Sequence, residues 1–258
     1  ALWPGINLSM HKITLLIEGP EDAAELLPLV VAWAQEDPLR ASLLLQAQPG
    51  QSYVNQEGHL QMPTLDGLDL LAQGLEALPA FKALVSSVRT FSPGATIPAM
   101  HRHASTTDLF VLSARSFRLL MAQDTGEQPF KGLEAPLLIP GKAYSAHSQT
   151  VLLAEPHAVK RAMQTNRRLL ASREMVILSC NEENPEDDRR LVEYVQAHYK
   201  GPGYYFLPPA DGCSPPPPVM NPGALVVGTL DPQAHSHAFL KELLQAPSFG
   251  DYSYLLHA

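Results

Sequence analysis

The stretch HKITLLIEGPED, residues 11–22, contains a short apolar run that ends at Gly19-Pro20. A run of this length closed by turn residues is typical of a strand buried on both faces, as in a parallel sheet. Pro20 suits the first position of a helix, and Glu21 and Asp22 then face the positive end of the helix dipole. The stretch therefore predicts a β-strand followed at once by an α-helix.

This alternation of strand and helix continues along the chain and then begins again. Further strands of the first half are predicted at 41–46, 87–91, 108–113 and 135–139. Strands of the second half are predicted at 150–154, 174–179, 204–207, 224–228 and 252–256. Short strands that alternate with helices indicate a parallel sheet with helices on both faces. We therefore expect two tandem α/β domains, 11–141 and 150–258, each a five-stranded, mainly parallel sheet in the order 3-2-1-4-5.

Between these elements the sequence also predicts a long helix at 63–87 and a proline-rich, extended connector at 208–222. The last strands of the two halves carry apolar side chains, at 137–139 and 255–256. Because strand order 3-2-1-4-5 leaves these strands at sheet edges, they must be covered. We expect the halves to pair through them with each other or with a second chain, and we expect a homodimer.

Composition excludes several classes of protein. The 258 residues are 45% hydrophobic and 17% charged, which is typical of a globular chain, and the formal net charge is −8. A nucleic-acid partner is not expected, because such partners need clustered Lys and Arg. No apolar run approaches the length of a membrane span, no secretion signal is recognisable, and Cys180 and Cys213 form no disulfide framework. These features favour a cytoplasmic protein, although Ala1–Ser9 does not resemble a natural start.

Acidic residues and apolar strands recur at matching places in the two halves. Glu18 and Glu155 each end the first strand, and the stretches 108–113 (DLFVLS) and 224–228 (ALVVG) form the fourth. In these features the chain, from His11 to its end, resembles the universal stress protein family in its tandem form. The resemblance implies a universal-stress-type α/β fold and a regulatory or ligand-binding role in a stress response, without catalysis.

The loop after the fourth strand departs from the family's ATP-binding members, which have the pattern G-x2-G-x9-G-(S/T). Glycine lets backbone amides approach phosphate oxygens closely. The first half has Ser113-Ala-Arg-Ser116 there, and the second has Gly228 but Asp231 in place of the second glycine. We therefore expect degenerate nucleotide sites, no tight ATP binding and no cofactor. The candidate ligand-binding residues at the strand ends are Glu18, Ser113, Arg115, Glu155, Gly228 and Thr229.

No pattern indicates a metal site or a catalytic centre. A zinc site needs three or four converging ligands. The two close histidine pairs, His101/His103 and His235/His237, lie in stretches predicted as helical, where their rings would point about 200° apart. Strand-end serines lack the G-x-S-x-G elbow. The acidic pair Asp187-Asp188 opens a helix, where solvated acids complement the dipole.

Three functions remain open. The first is a non-enzymatic regulatory or ligand-binding module of the universal stress type. The second is the cytosolic, C-terminal regulatory domain of a cation/proton antiporter or related transporter, since such domains resemble the same fold; its partner would be the membrane part of that transporter. The third is an enzyme of a related nucleotide-binding α/β superfamily, which would need a phosphate loop that the sequence lacks.

Overall fold

The computed structural model describes residues 11–36, 39–46, 85–92, 94–122, 129–142, 149–153, 155–165, 174–179, 185–199, 201, 203–207, 221 and 223–258. Of the helix predicted at 63–87, residues 63–84 lie outside the described residues. Residues 85–87 belong to a strand. Nearly all of the proline-rich connector, together with Cys180 and Cys213, also lies outside them. The chain divides into two compact units, Ala1–Asp124 (unit 1) and Thr125–Ala258 (unit 2).

Unit 1 contains a parallel sheet in the strand order β3-β2-β1-β4. Its elements are β1 His11–Ile17, α1 Pro20–Glu36, β2 Leu39–Gln46, β3 Val85–Phe91, α2 Thr96–His103, β4 Leu109–Val111 and α3 Ala114–Ala122. A 3₁₀ turn, Ala104–Thr106, follows α2. In β1, every residue from Ile13 to Ile17 is buried, as the apolar run predicts for a strand covered on both faces. The order agrees with the predicted 3-2-1-4.

Unit 2 contains a sheet in the order β5-β10-β9-β6-β7-β8. Its elements are β5 Leu137–Ile139, β6 Thr150–Leu153, α4 Pro156–Thr165, β7 Met175–Leu178, α5 Pro185–His198, β8 Tyr204–Leu207, β9 Leu225–Thr229, α6 His237–Gln245 and β10 Ser253–His257. A 3₁₀ turn, Pro247–Asp251, precedes β10. The strands β6 to β10 are parallel to one another, and they show the full predicted order 3-2-1-4-5.

The strand β5 joins unit 2 by antiparallel pairing with β10, so that Leu138 lies opposite Leu255. This pairing confirms the expectation that the last strands of the two halves cover each other. The chain leaves β5 at Gly141, whose N–H donates to Ser253 Oγ at 2.8 Å. Because of this pairing the division between the units falls before β5, and the domain limits 11–141 and 150–258 stay a prediction.

In unit 2 the helix around His237 begins later than the sequence predicts. The helix predicted at 234–244 begins at His237, so His235 lies in the turn before α6. Two residues that are two positions apart on a helix point in nearly opposite directions, and His101 and His103 both lie on α2. For His235 and His237 the prediction that both lie on one helix is wrong. None of the helices in the described part of the chain is long and apolar enough to cross a membrane.

Candidate ligand site at the strand ends

Asp22 is the centre of a buried polar network in unit 1, where β1 and β4 end. Its side chain lies in the first turn of α1 and is 3% exposed. The carboxylate accepts hydrogen bonds from the Glu18 N–H at 2.9 Å, from Ser116 Oγ at 3.0 Å and from Ser113 Oγ. Ser113 Oγ in turn accepts the Ser116 N–H at 3.0 Å. These bonds tie the start of α1 to the start of α3.

The predicted ligand residues of the first half lie at this same edge, and each has a partner within the chain. Glu18 accepts a hydrogen bond from Thr96 Oγ1 at 2.8 Å, which links β1 to the first residue of α2. Arg115 forms an ion pair with Glu21, and both side chains are exposed. Ser113 donates to Asp22, as described above. Glu18, Ser113 and Arg115 therefore lie at the same edge, and each is already bonded to another side chain of unit 1.

The start of α3 is also met by a carboxylate. Glu25 of α1 accepts a hydrogen bond from the Ala114 N–H, the first residue of α3. Partial burial raises the pKa of Glu25, the Asp22 charge raises it further, and the bond from Ala114 opposes both. A helix start with free N–H groups is a ready anion site, but here an internal anion takes that place.

Unit 2 also has carboxylates that accept hydrogen bonds at its strand ends, but they lie at other places in the repeat. Glu155 accepts the Ser236 N–H, just before α6, at 2.9 Å. Asp188 in the first turn of α5 accepts a hydrogen bond from Ser179, which follows β7. Burial raises the pKa of Asp188; the Ser179 bond opposes this effect, Asp187 and Glu155 add to it, and His235 opposes it. The carboxylates of Glu155 and Asp188 therefore belong to one polar cluster.

The prediction that Asp187 and Asp188 form a solvated helix start is wrong for Asp188. Its side chain is 6% exposed. In both units the second acid of a helix-opening acidic pair is buried against a serine at a strand end, Asp22 with Ser113 and Asp188 with Ser179. The signal that could have found both is the acidic pair itself, placed at a helix start soon after a buried strand.

Gly228 and Thr229 have structural partners as well. A Cβ atom on Gly228 would lie 3.0 Å from Leu153 Cδ1, so glycine here leaves room for the Leu153 side chain of the neighbouring strand β6; its distance of 3.6 Å from Leu240 Cδ2 would be an ordinary contact. Thr229 Oγ1 donates to the His257 carbonyl at 3.1 Å and accepts the Asp231 N–H at 3.2 Å. The residues after β9 thus form a local turn closed by their own side chains.

The chemistry of these two edges is that of hydrogen-bond acceptors. Ser236 Oγ is buried and is without a hydrogen-bond partner among the described residues. Within those same ranges, no group of three or more His, Cys, Asp and Glu side chains is placed to hold a metal ion. Asp22 and Asp188 each accept a hydrogen bond from a strand-end serine, so each serine hydroxyl serves as a donor to a carboxylate.

No protein-family model matches the chain, and no curated protein matches its sequence. Among solved structures it is similar to a universal stress protein from Archaeoglobus fulgidus DSM 4304, with a TM-score of 0.55 and 9% identity over 94% of this chain and 95% of that one. It is also similar to the cytoplasmic domain of a prokaryotic cation chloride cotransporter, with a TM-score of 0.47 and 10% identity over 96% of this chain and 95% of that one. The first likeness confirms the universal-stress-type α/β fold.

Proposed function

We propose that the chain is a non-catalytic regulatory module whose strand-end sites are filled by its own side chains and take no nucleoside triphosphate. One observation carries this proposal. In both halves the helix that follows the fourth strand starts at a carboxylate of the chain: Glu25 at Ala114 of α3, and Glu155 at Ser236 before α6. These helix starts are where a phosphate loop would place its backbone donors.

Electrostatics supports this interpretation. A triphosphate at either helix start would meet a carboxylate of the chain, with a second one, Asp22 or Asp188, close enough to act on it electrostatically. Two like charges about 4 Å apart repel by roughly 4 kcal/mol at an effective dielectric constant of 20, which corresponds to about three orders of magnitude in affinity. A module of this kind acts through contacts with another molecule, and no step of the proposal requires catalysis.

Isothermal titration with Mg-ATP and Mg-ADP tests the proposal. We expect no saturable binding in the micromolar range for the natural chain. The substitution Glu155→Gln keeps the shape of the side chain and removes its charge, so ATP affinity should rise in this variant. The exposed acid Glu174 precedes β7 at the opposite end of the strand, and Glu174→Gln serves as the matched control.

A low-micromolar dissociation constant for the natural chain, lost on Gly228→Ala or Arg115→Ala, would overturn the proposal. Mass spectrometry of protein purified without added ligand gives a second test. A co-purified nucleotide would contradict the proposal, whereas another bound small molecule would identify what the module senses.

A further inference from the structure

The two units differ in how they use buried serine and threonine hydroxyls. In the described part of unit 1 each of these hydroxyls bonds to another hydroxyl or to a carboxylate: Thr14, Thr96, Thr107, Ser113 and Ser116. In unit 2 the hydroxyls of Thr150 and Ser236 are buried and have no hydrogen-bond partner among the described residues. Thr150 lies within strand β6, whereas Ser236 directly precedes α6. Buried polar groups without a partner are uncommon, and each needs a physical reason.

Capping of α6 does not explain the Ser236 hydroxyl. Ser236 occupies the position before a helix, where a serine oxygen normally accepts an N–H of the first turn. Within the described part of the chain its side chain makes no such bond, and its backbone is helical, with φ −76° and ψ −7°. The hydroxyl is therefore left over, and the first turn of α6 lacks a side-chain acceptor.

A carboxylate lies beside this hydroxyl. Glu155 Oε1 accepts the Ser236 N–H at 2.9 Å. Ser236 Oγ belongs to the same residue as this N–H, so covalent geometry keeps it close to the carboxylate. A carboxylate accepts several hydrogen bonds, and in the described ranges the Glu155 side chain accepts this one. Glu155 is half-buried, so the start of α6 borders solvent on its side.

Charge restricts what can bind at this place. An anion would be repelled by Glu155, which is the repulsion on which the proposed function rests. A cation would meet the positive end of the α6 dipole. An uncharged hydroxyl group avoids both costs, because the same oxygen donates a hydrogen bond to a carboxylate and accepts one from an O–H or N–H group.

We propose that the start of α6 binds a hydroxyl group of an uncharged sugar or polyol. The ligand hydroxyl donates to the Glu155 carboxylate and accepts a hydrogen bond from Ser236 Oγ. This inference rests on the proposed function and deepens it, because the carboxylate that excludes phosphate supplies the acceptor for the ligand. Unit 2 is then the half of the module that responds to a ligand.

A ligand reaches the buried Ser236 hydroxyl only through a local movement. Residues 231–235, which precede it, form a turn whose members are exposed or half-buried. Asp231 Oδ1 accepts the Gln233 N–H at 3.0 Å, and the Asp231 carbonyl accepts the Ala234 N–H at 3.1 Å. A turn held by bonds among its own residues opens at lower cost than a packed core. We therefore expect the amide signals of this turn to shift on binding.

Amide NMR spectra of the full chain, titrated with glycerol, test the site. Glycerol carries hydroxyl groups and no charge, and glycerol 3-phosphate and 3-aminopropane-1,2-diol are its charged counterparts. We expect saturable shifts of the amides of residues 236–239 at roughly millimolar glycerol, as suits a ligand of so few atoms. Both charged compounds should bind at least about tenfold more weakly.

Two serine variants establish which hydroxyl is responsible. Ser236→Ala should abolish the shifts, whereas Ser248→Ala, in the 3₁₀ turn of the same unit, should leave them unchanged. Thermal melts without glycerol give a second readout, because removal of a buried hydroxyl that has no partner should not lower the Tm. A lower Tm of Ser236→Ala would mean that the hydroxyl is already bonded within the chain, and the proposal would be wrong.

The absence of saturable shifts, which is expected if water alone satisfies the Ser236 hydroxyl, would refute the inference. Glycerol 3-phosphate that binds as tightly as glycerol would refute it as well. These outcomes are separate from those of the nucleotide titration. Micromolar ATP binding contradicts the proposed function, whereas missing glycerol shifts in a chain that also binds no ATP contradict this inference alone.

Discussion

At the scale of single residues, Asp22 accepts three hydrogen bonds in the buried network of unit 1. Asp22→Ala would leave the Glu18 N–H and the hydroxyls of Ser113 and Ser116 without their acceptor in a buried place. We expect the free energy of unfolding to fall by roughly 3 kcal/mol, measured in urea. The neighbouring Glu21→Ala removes only an exposed ion pair and should cost less than about 1 kcal/mol. Equal losses in the two variants would contradict this account of the network.

His257 of β10 gives the stability of unit 2 a dependence on pH. Burial, followed by the charge of Arg161, lowers the pKa of His257 from 6.5 to about 4, and neither ring nitrogen has a hydrogen-bond partner in the described residues. Between these two pH values the unfolded chain binds a proton that the folded chain does not. Stability attributable to His257 is therefore complete above the unfolded pKa and decreases as the pH falls towards the folded one, by about 3 kcal/mol in all.

The variant His257→Leu should lose this part of the pH dependence, because leucine takes no proton. Urea unfolding at several pH values between 4 and 7 measures the slope. His157→Gln, which changes an exposed histidine of α4, is the control and should keep the slope of the natural chain. An unchanged slope in His257→Leu would show that the imidazole is protonated in the folded state.

At the scale of elements, the exit from β5 depends on a glycine. A Cβ atom on Gly141 would lie 2.4 Å from the Tyr252 carbonyl oxygen, and this obstacle is backbone that cannot rotate away. We expect Gly141→Ala to lower the free energy of unfolding by at least about 2 kcal/mol, because β5 must shift from β10. Gly203→Ala places its new atom where nothing lies within 4 Å, so a change below about 1 kcal/mol is expected. If both variants lost a similar free energy of unfolding, the cause would be the lower backbone flexibility of alanine and not the close approach of Gly141 to Tyr252.

At the scale of the whole molecule, the succession of strands and helices and its repetition could be predicted because they depend on local signals. Short apolar runs closed by Gly and Pro, and acids at helix starts, lie within a few residues of one another. The sequence could not predict that the candidate ligand residues are bonded within the chain, because these hydrogen bonds join residues far apart in the sequence. Thr96 meets Glu18 across 78 positions, and Ser236 meets Glu155 across 81. Gly228 illustrates the same difficulty: the sequence shows a glycine, while only the packing of Leu153 against it shows why a larger residue would be crowded.

The homodimer inferred from the sequence stays a prediction. It was expected because apolar last strands at sheet edges need a pairing partner, and β5 and β10 pair with each other. A dimer would therefore have to form through another surface of the chain.

The position of β10 has a consequence for how the chain acquires its structure. This strand is the last along the sequence, yet it lies between β9 and β5, which comes more than a hundred residues earlier. The sheet of unit 2 therefore cannot be completed until residues 253–257 have been synthesised. Until then the edge of β5 that pairs with β10 has no partner strand. Contacts between such distant residues slow folding, since a long loop has to be closed before they form. A growing chain that stops before residue 253 would expose the edges of both β9 and β5 and would be prone to aggregate.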